Sequence, residues 1–280
     1  MRVALVQSHP VLGDLDANAA AAQEAIEEAT AGGAGLVVFP ELALTGYAVG
    51  EVDGDLTRRA SDPVLLGLAA AAGDAGVLIG FHEDGGRSNY NAAAYYEGGR
   101  LVHVHRKLYL PNYGIFDERK HFSPGQTMRA FATRWGGMAT LICNDAWQPH
   151  LAFLAVQDGA RVLFVPTSSS QSRFPEQYDS KTYWRAITVF YARMFQSFVV
   201  FVNRVGDEAE HLRFWGGSHI VDPWGRIVHE LPEGQEAIET CEIDLAMVRK
   251  RRREVPLVRE ARLGLLVREA TRLAEEGGDA

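Results

Sequence analysis

Three residues able to do chemistry each follow a short apolar run. Glu41 comes after Leu36-Val37-Val38-Phe39 and a proline, Lys107 after the run from Leu101 to His105 and an arginine, and Cys143 directly after Ala139 to Ile142. Short apolar runs of this kind read as buried strands. In open α/β sheets the ligand crevice lies outside the carboxyl ends of the strands, so a carboxylate, an ammonium and a thiol are expected to converge there. Their chemistry is coherent. A free thiol with a pKa of about 8.5 is mostly protonated at pH 7 and is a weak nucleophile until its proton is taken. A neighbouring carboxylate can take it, and help of this kind is worth ~10²–10⁴ in rate. A lysine ammonium can stabilise the oxyanion of a tetrahedral intermediate, where loss of one donor costs about 10²–10³ in kcat. A helix expected from Pro149 would turn its positive end toward the thiol.

Each residue taken singly has a plainer reading. A glutamate after a proline is commonly a surface carboxylate, a lysine at a strand end is solvated, and a lone cysteine is a small buried hydrophobe. The repeated strand-end placement is what joins them. A Cys–His pair is disfavoured: His150 follows Cys143 by seven residues, but it opens an apolar helix and nothing marks it as a base. No CxxC pair or HxxxH cluster suggests a metal, and no cofactor is expected.

The elements that must hold these residues alternate along the chain. Strands are expected at Val3–Val6, Leu36–Phe39, Val77–Phe81, Thr140–Cys143, Arg161–Val165, Phe198–Val202 and Ala237–Ile243. Helices are expected at Asp14–Thr30, Pro63–Ala72, Pro149–Gln157 and Tyr178–Ser197, with a charged helical tail from Leu245. Hairpins are expected around Glu97-Gly98-Gly99-Arg100 and Pro223-Trp224-Gly225. Leu108 to Gln126 is a long loop with four aromatic residues, a composition that favours a functional loop over disorder. Interleaved strands and helices with several hairpins mean an α/β fold. No repeat or linker is visible, so residues 1–280 read as one domain.

Composition narrows the function. Of 280 residues, 47% are apolar and 23% charged, which suits a packed globular domain, and the net charge of −8 argues against a nucleic-acid partner. The one basic run, Arg249 to Arg253, reads as a solvated helical or interface segment in preference to a binding patch. Two cysteines in unrelated contexts are expected to be reduced thiols, which favours a cytoplasmic setting, with Cys241 structural. No apolar run is long enough to span a membrane, and the N-terminus reads as a strand rather than a signal peptide.

The wording around the three residues carries a resemblance. "VVFPELALTGY", "HRKLYLPNYGIFDERKHFSPG" and "LICNDAWQP", with "FVNRVG" and "GGSHIVDPWGRIV" later, resemble segments of the nitrilase superfamily of carbon–nitrogen hydrolases, in family order over nearly the whole chain. The resemblance implies a four-layer αββα sandwich and a catalytic triad of Glu41, Lys107 and Cys143. It implies Glu118 as a second glutamate assisting the lysine, and the Asn144 N–H as an oxyanion donor. It also implies a homodimer or higher homo-oligomer, with the segment of about 245–280 at the dimer contact. The reaction implied is acyl transfer: Cys143 attacks an amide carbonyl, Glu41 moves the proton, ammonia or an amine leaves, and water releases the acid from a thioester.

"YLPNYGIFDE" is similar to the lysine loop of the glutaminase domain of NAD synthetases, and the chain is read as a free-standing amidase with such a loop. The elbow Cys143-Asn144-Asp145 departs from that branch, which usually has Glu after the cysteine, and this weakens glutamine as the substrate. Tyr113, Phe116 and Trp147 are candidates for the acyl pocket. Ser168, Ser169 and the neighbouring Ser170 are candidates for bonding a polar substrate, and Arg173 for holding a carboxylate. The expected substrate is a small linear amide. A nitrile or an N-carbamoyl compound suits the same triad, as does an acyltransferase, and a binding or thiol-sensing module is the non-catalytic rival.

Overall fold

Side chains alternate in facing along the central strands, and that alternation sorts the chain into four layers. A computed structural model describes residues 1–114, 116–171 and 179–277. Strands β1 (Arg2–Gln7), β2 (Leu36–Val38), β3 (Gly76–Asp84), β4 (Asn89–Glu97) and β5 (Arg100–Arg106) build one sheet. Strands β6 (Phe131–Thr133), β7 (Gly136–Thr140), β8 (Val162–Thr167) and β9 (Phe198–Asn203) build most of a second. A two-stranded ribbon of β10 (Val205–Glu208) and β11 (Leu212–Trp215) follows, then β12 (His219–Val221) and β13 (Ile227–Glu230) complete the second sheet. The last strand, β14 (Ala237–Glu242), returns to lie antiparallel beside β1. The orders are β14-β1-β2-β3-β4-β5 and β13-β12-β9-β8-β7-β6. Each sheet has a parallel centre, β1-β2-β3 or β7-β8-β9, with antiparallel strands outside it.

Val3, Leu5, Leu36 and Val38 of the first sheet pack with Val162, Phe164, Val200 and Val202 of the second, forming the core between the sheets. Their chain neighbours Ala4, Val6, Val37 and Phe39 face the other way, onto α1 (Leu15–Ala31) and α2 (Pro63–Ala71) through Ile26, Leu65 and Leu68. Likewise Leu163, Val165, Val199 and Phe201 lie under α3 (Pro149–Gln157) and α4 (Ser180–Phe195), meeting Leu151, Ala155, Trp184 and Tyr191. Each fully buried aliphatic or aromatic side chain contributes about 1.5–3 kcal/mol, so the period-two pattern selects the layering. The result is the four-layer αββα sandwich expected above.

The helices start where their caps require. Asp14 accepts the Ala17 N–H at 3.0 Å, Asp62 accepts that of Val64 at 2.9 Å ahead of Pro63, and Asp179 accepts those of Lys181 and Thr182. Each such cap is worth about 1 kcal/mol. The tail forms α5 (Ala246–Glu254) and α6 (Leu263–Glu275), and α6 has no buried residue. Among the described residues no helix is long and apolar enough to cross a membrane.

One sequence expectation is corrected, and one pair of strands lies outside all of them. The strand expected at Thr140–Cys143 ends at Thr140, and Cys143–Trp147 is a single 3₁₀ turn. Leu141 still donates to Phe164 of β8 at 2.8 Å, but the Ile142 N–H turns to the Asp145 carboxylate at 3.2 Å, which takes the chain out of the sheet. The β10–β11 ribbon was not anticipated, because its strands are four residues each and interrupted by glycine and charge.

Candidate active site

Each of the three strand ends is shaped for close approach. After β2 the chain carrying Glu41 crosses β3 at Gly80, where a β-carbon would lie 2.5 Å from both Leu42 N and Pro40 O. Only glycine permits that crossing. After β5, Lys107 donates its N–H to Asn91 O and accepts from Gly125 N, both at 2.8 Å. A β-carbon on Gly125 would sit 2.3 Å from Arg106 O, so this glycine lets the long loop return against the strand it left. Cys143 opens its 3₁₀ turn with φ of 45°, and Leu42 beside Glu41 has φ of 49°. Left-handed backbone at non-glycine residues costs on the order of 1–3 kcal/mol, and such strain persists where the surroundings overdetermine it.

Asp145 supplies that constraint at the cysteine. Besides the Ile142 N–H, its carboxylate accepts the N–H groups of Leu108 and Tyr109, each at 2.9 Å, and shares a hydrogen bond of 2.9 Å with His105 Nε2. It is fully buried. One side chain therefore ties the cysteine turn to the lysine strand.

The charged groups meet in a closed cluster. Lys107 Nζ donates to Glu41 Oε1 at 2.7 Å and to Glu118 Oε1 at 2.6 Å. Asn91 Nδ2 donates to the same Glu41 oxygen at 2.8 Å, and the Ser168 N–H donates to Glu41 Oε2 at 2.8 Å. Tyr47 donates its hydroxyl to Glu118 Oε1 at 2.6 Å. Glu41 and Lys107 have no solvent exposure and Glu118 has 4%. Cys143 stays half-buried, retaining a path to solvent.

These surroundings shift the titrations. Burial pushes the Cys143 thiol well above its ordinary range, and Glu41 and Glu118 add to that, while Lys107 and the Ser168 N–H oppose it. The resting thiol is therefore neutral at neutral pH. Burial acts to lower Lys107, but the Glu118 and Glu41 carboxylates outweigh it and hold the ammonium charged. Burial raises Glu118 to about 7 with help from Glu41, against Lys107 and Tyr47. Burial and both carboxylates keep the Tyr47 phenol protonated and able to donate.

The candidate substrate residues divide. Ser168 turns inward: its N–H serves Glu41 and its hydroxyl donates to the Glu41 carbonyl at 3.1 Å. Ser169 is likewise committed, donating its N–H to Asn203 and accepting from Trp215 Nε1 at 3.2 Å. Ser170 is buried, with its carbonyl accepting the Ser180 hydroxyl. Phe116 packs edge-on against Tyr47 and Tyr113, and Tyr113 is 62% exposed. Trp147 stacks on Tyr183 with ring centroids 5.7 Å apart. Asn144 is half-buried, its amide donating to Tyr109 O at 3.1 Å. Among the described residues its backbone N–H has no hydrogen-bond acceptor, which leaves a donor beside Cys143. Arg173 lies outside the described residues. A cleft of about 830 Å³ runs along the lysine loop, with Tyr109, Tyr113, Arg119 and Asn144 in its walls.

Sequence reasoning missed the supports. Asn91, Tyr47, His105 and Asp145 each touch a member of the cluster or its frame. Behind Tyr47 lies a further buried pair. Glu208 accepts the Tyr47 and Ala48 N–H groups and meets Arg204 at 2.6 Å, and Arg204 lies over the Phe214 ring. Only Asp145 left a sequence signal, as an acid two residues past the cysteine at the end of an apolar run.

A thiol on a strained turn, beside a carboxylate and a fixed ammonium, is an arrangement for covalent acyl chemistry. The sandwich and this cluster fit a hydrolase that works through a cysteine. The carbon–nitrogen hydrolase family model matches residues 2–253, and the chain belongs to that family. N-carbamoylputrescine amidase of Arabidopsis thaliana is 30% identical over 264 residues, covering 89% of this chain and 88% of the relative. Glutamine-dependent NAD(+) synthetase of Thermotoga maritima is 33% identical over 250 residues, covering 88% of this chain. This chain spans 42% of that synthetase's length. Among solved structures, Nit3 of Saccharomyces cerevisiae, a member of branch 10 of the nitrilase superfamily, aligns with a TM-score of 0.80 and 26% identity, over 94% of this chain and 96% of that one.

Proposed function

We propose that this protein is an amidase that cleaves a small linear amide to acid and ammonia through a thioester on Cys143. The observation that carries the reading is the half-buried Cys143 standing over the buried Glu41–Lys107–Glu118 cluster. Because the resting thiol is neutral, its proton passes to Glu41 as sulfur attacks the carbonyl carbon. Lys107 and the Asn144 N–H face the developing oxyanion, and Lys107 holds its charge because two carboxylates flank it. Glu41 then gives the proton to the departing nitrogen, the C–N bond breaks, and a thioester remains. Water, deprotonated by Glu41, displaces sulfur, and the acid leaves with the thiol restored. Glu118 and Tyr47 act through Lys107 by fixing its direction.

A second reading, hydrolysis of an N-carbamoyl amine, is supported by the 30% identity over 88% of the length of the plant N-carbamoylputrescine amidase. The same steps apply, with a carbamoyl thioester in place of an acyl one. The test is intact-protein mass spectrometry during turnover of amides, N-carbamoyl amines and nitriles, with ammonia measured in parallel, for the wild type and Cys143→Ala. A mass adduct confined to the wild type supports the mechanism, and its mass separates acyl from carbamoyl. No adduct and no ammonia with both proteins folded overturns the hydrolase reading.

A homodimer through the tail belongs to the same proposal. On α6, Leu263, Leu266, Val267 and Leu273 share one face and are 43–63% exposed. A second copy of the chain covers that face. Leu266→Glu is expected to shift the mass in light scattering to that of a monomer, and an unchanged mass would remove α6 from the contact.

A further inference from the structure

The basic run of the sequence is not simply a solvated face. At the ends of the second sheet's strands opposite the cysteine lies a cavity of about 740 Å³. Five arginines line it: Arg161, Arg249, Arg252, Arg253 and Arg259, with Glu260 the one acid in its walls. Arg249, Arg252 and Arg253 stand at i, i+3 and i+4 on α5 and so share a face. Arg161 comes from the turn before β8, and Arg259 from the segment between α5 and α6. Arg252 is fixed as the floor, donating to Ala160 O and Ser197 Oγ, each at 2.9 Å. Among the described residues none of these five pairs with a carboxylate, whereas Arg251, turned off this face, meets Glu254 at 4.0 Å. Burial and the charge of Arg161 push Arg252 down to about 10. A chain with 36 acidic residues and a net charge of −8 has thus gathered unpaired cations around one hollow.

We propose that this pocket binds a small multivalent oxyanion, a soluble polyphosphate or polycarboxylate, through the guanidinium forks of Arg249, Arg253 and Arg259 above Arg252. Arginine is suited to this because its planar donors match phosphate and carboxylate oxygens in pairs. The volume is that of an ordinary small-ligand site. Among the described residues no aromatic ring lines it, and Ala246, Val248 and Pro256 supply the rest of the wall, so recognition rests on charge rather than on stacking a base. The pocket is separate from the amide site: β8 (Val162–Thr167) lies between Arg161 at one and Ser168 at the other, a strand length of roughly 20 Å.

The test is calorimetric titration of the full chain with tripolyphosphate and with citrate, at ionic strength held constant with sodium chloride. The expected result is saturable binding of at least one probe, at least ten-fold tighter than inorganic phosphate, with a matching rise in Tm. The double variant Arg253→Ala/Arg259→Ala is expected to weaken binding at least ten-fold, while its unliganded Tm and its turnover stay at wild-type values. Cys143→Ala is expected to bind like the wild type. The proposal is overturned if neither probe saturates, if the double variant binds as well as wild type, or if Cys143→Ala loses the anion. Binding to vesicles containing phosphatidic acid without binding to the soluble probes overturns it too.

Discussion

The two charged clusters at opposite ends of β8 are built on opposite rules. At one end Glu41, Lys107 and Glu118 are almost wholly buried and each charge lies 2.6–2.7 Å from its partner. At the other, five arginines line an open cavity with no carboxylate paired to them among the described residues. Burial explains the first. An unpaired charge in the interior costs several kcal/mol, so only mutually compensating groups are tolerated there. Exposure explains the second: Arg249, Arg253 and Arg259 are exposed, and water screens them well enough to be gathered above half-buried Arg252, whose own donors are held by Ala160 O and Ser197 Oγ. The lesson is functional. A buried cluster whose charges are held against one another has little to reorganise for a reaction, whereas an exposed, unpaired one is arranged for a ligand of opposite charge.

Mutations sharpen that contrast. The largest effect is expected at Cys143. Cys143→Ala removes the proposed nucleophile and is expected to cut kcat at least ~10⁴-fold, with a Tm close to that of wild type because alanine keeps the same left-handed backbone and gives up only a neutral, half-buried thiol; a residual rate above that mark would make another group the nucleophile. Lys107→Met comes next. It leaves two buried carboxylates without their cation and is expected to cost about 3–5 kcal/mol in denaturant unfolding, along with activity; a loss below 1 kcal/mol would mean that the cluster is open to water.

Glu118→Gln tests the same cluster through pH. Glu118 is raised to about 7 from an ordinary 4.5, so the folded state holds a proton that the unfolded chain releases. Its contribution to stability is whole below about 4.5 and is lost as pH rises through about 7. The variant is expected to lose that slope in a series of Tm against pH, and to lower kcat by ~10² because Lys107 is less firmly directed. His82, His103 and His219, each pushed down to about 4 by burial, act in the other sense and lose stability as pH falls, so the acid-side decline is expected to remain in the variant. An unaltered neutral slope would separate Glu118 from the titration.

The smallest effect belongs to the arginine pocket. Arg253→Ala removes an exposed, unpaired cation and is expected to change unfolding free energy by less than about 0.5 kcal/mol without ligand. A loss of 2 kcal/mol or more would show that these arginines hold the fold together.

Much of the fold was legible because hydrophobic periodicity is local. Val3–Val6, Leu36–Phe39 and Phe198–Val202 are apolar throughout because both faces are covered, and the helices expected over Asp14–Thr30 and Pro63–Ala72 begin and end within a residue of where they fall. That Glu41, Lys107 and Cys143 come together was legible for the same reason, since each follows its strand. The β10–β11 ribbon was not, because four-residue strands carry too little pattern. Nor were Asn91 and Ser168 as partners of Glu41, which lie 50 and 127 residues from it.

The sequence alone determined which groups are present, the strands they follow, and the branch of chemistry that a thiol, a carboxylate and an ammonium can perform, because these depend on residue type and short-range order. Tertiary structure decided which groups face one another. It turned Ser168 inward to Glu41, made Asp145 the tie between the cysteine turn and the lysine strand, and set Cys143 at φ of 45°. It also brought Arg161 and Arg259 to the face of α5 that carries Arg249, Arg252 and Arg253. The physical reason is that hydrogen bonds and charges act over a few ångströms of space, and only the packing of two sheets brings residues so distant in the chain within that range.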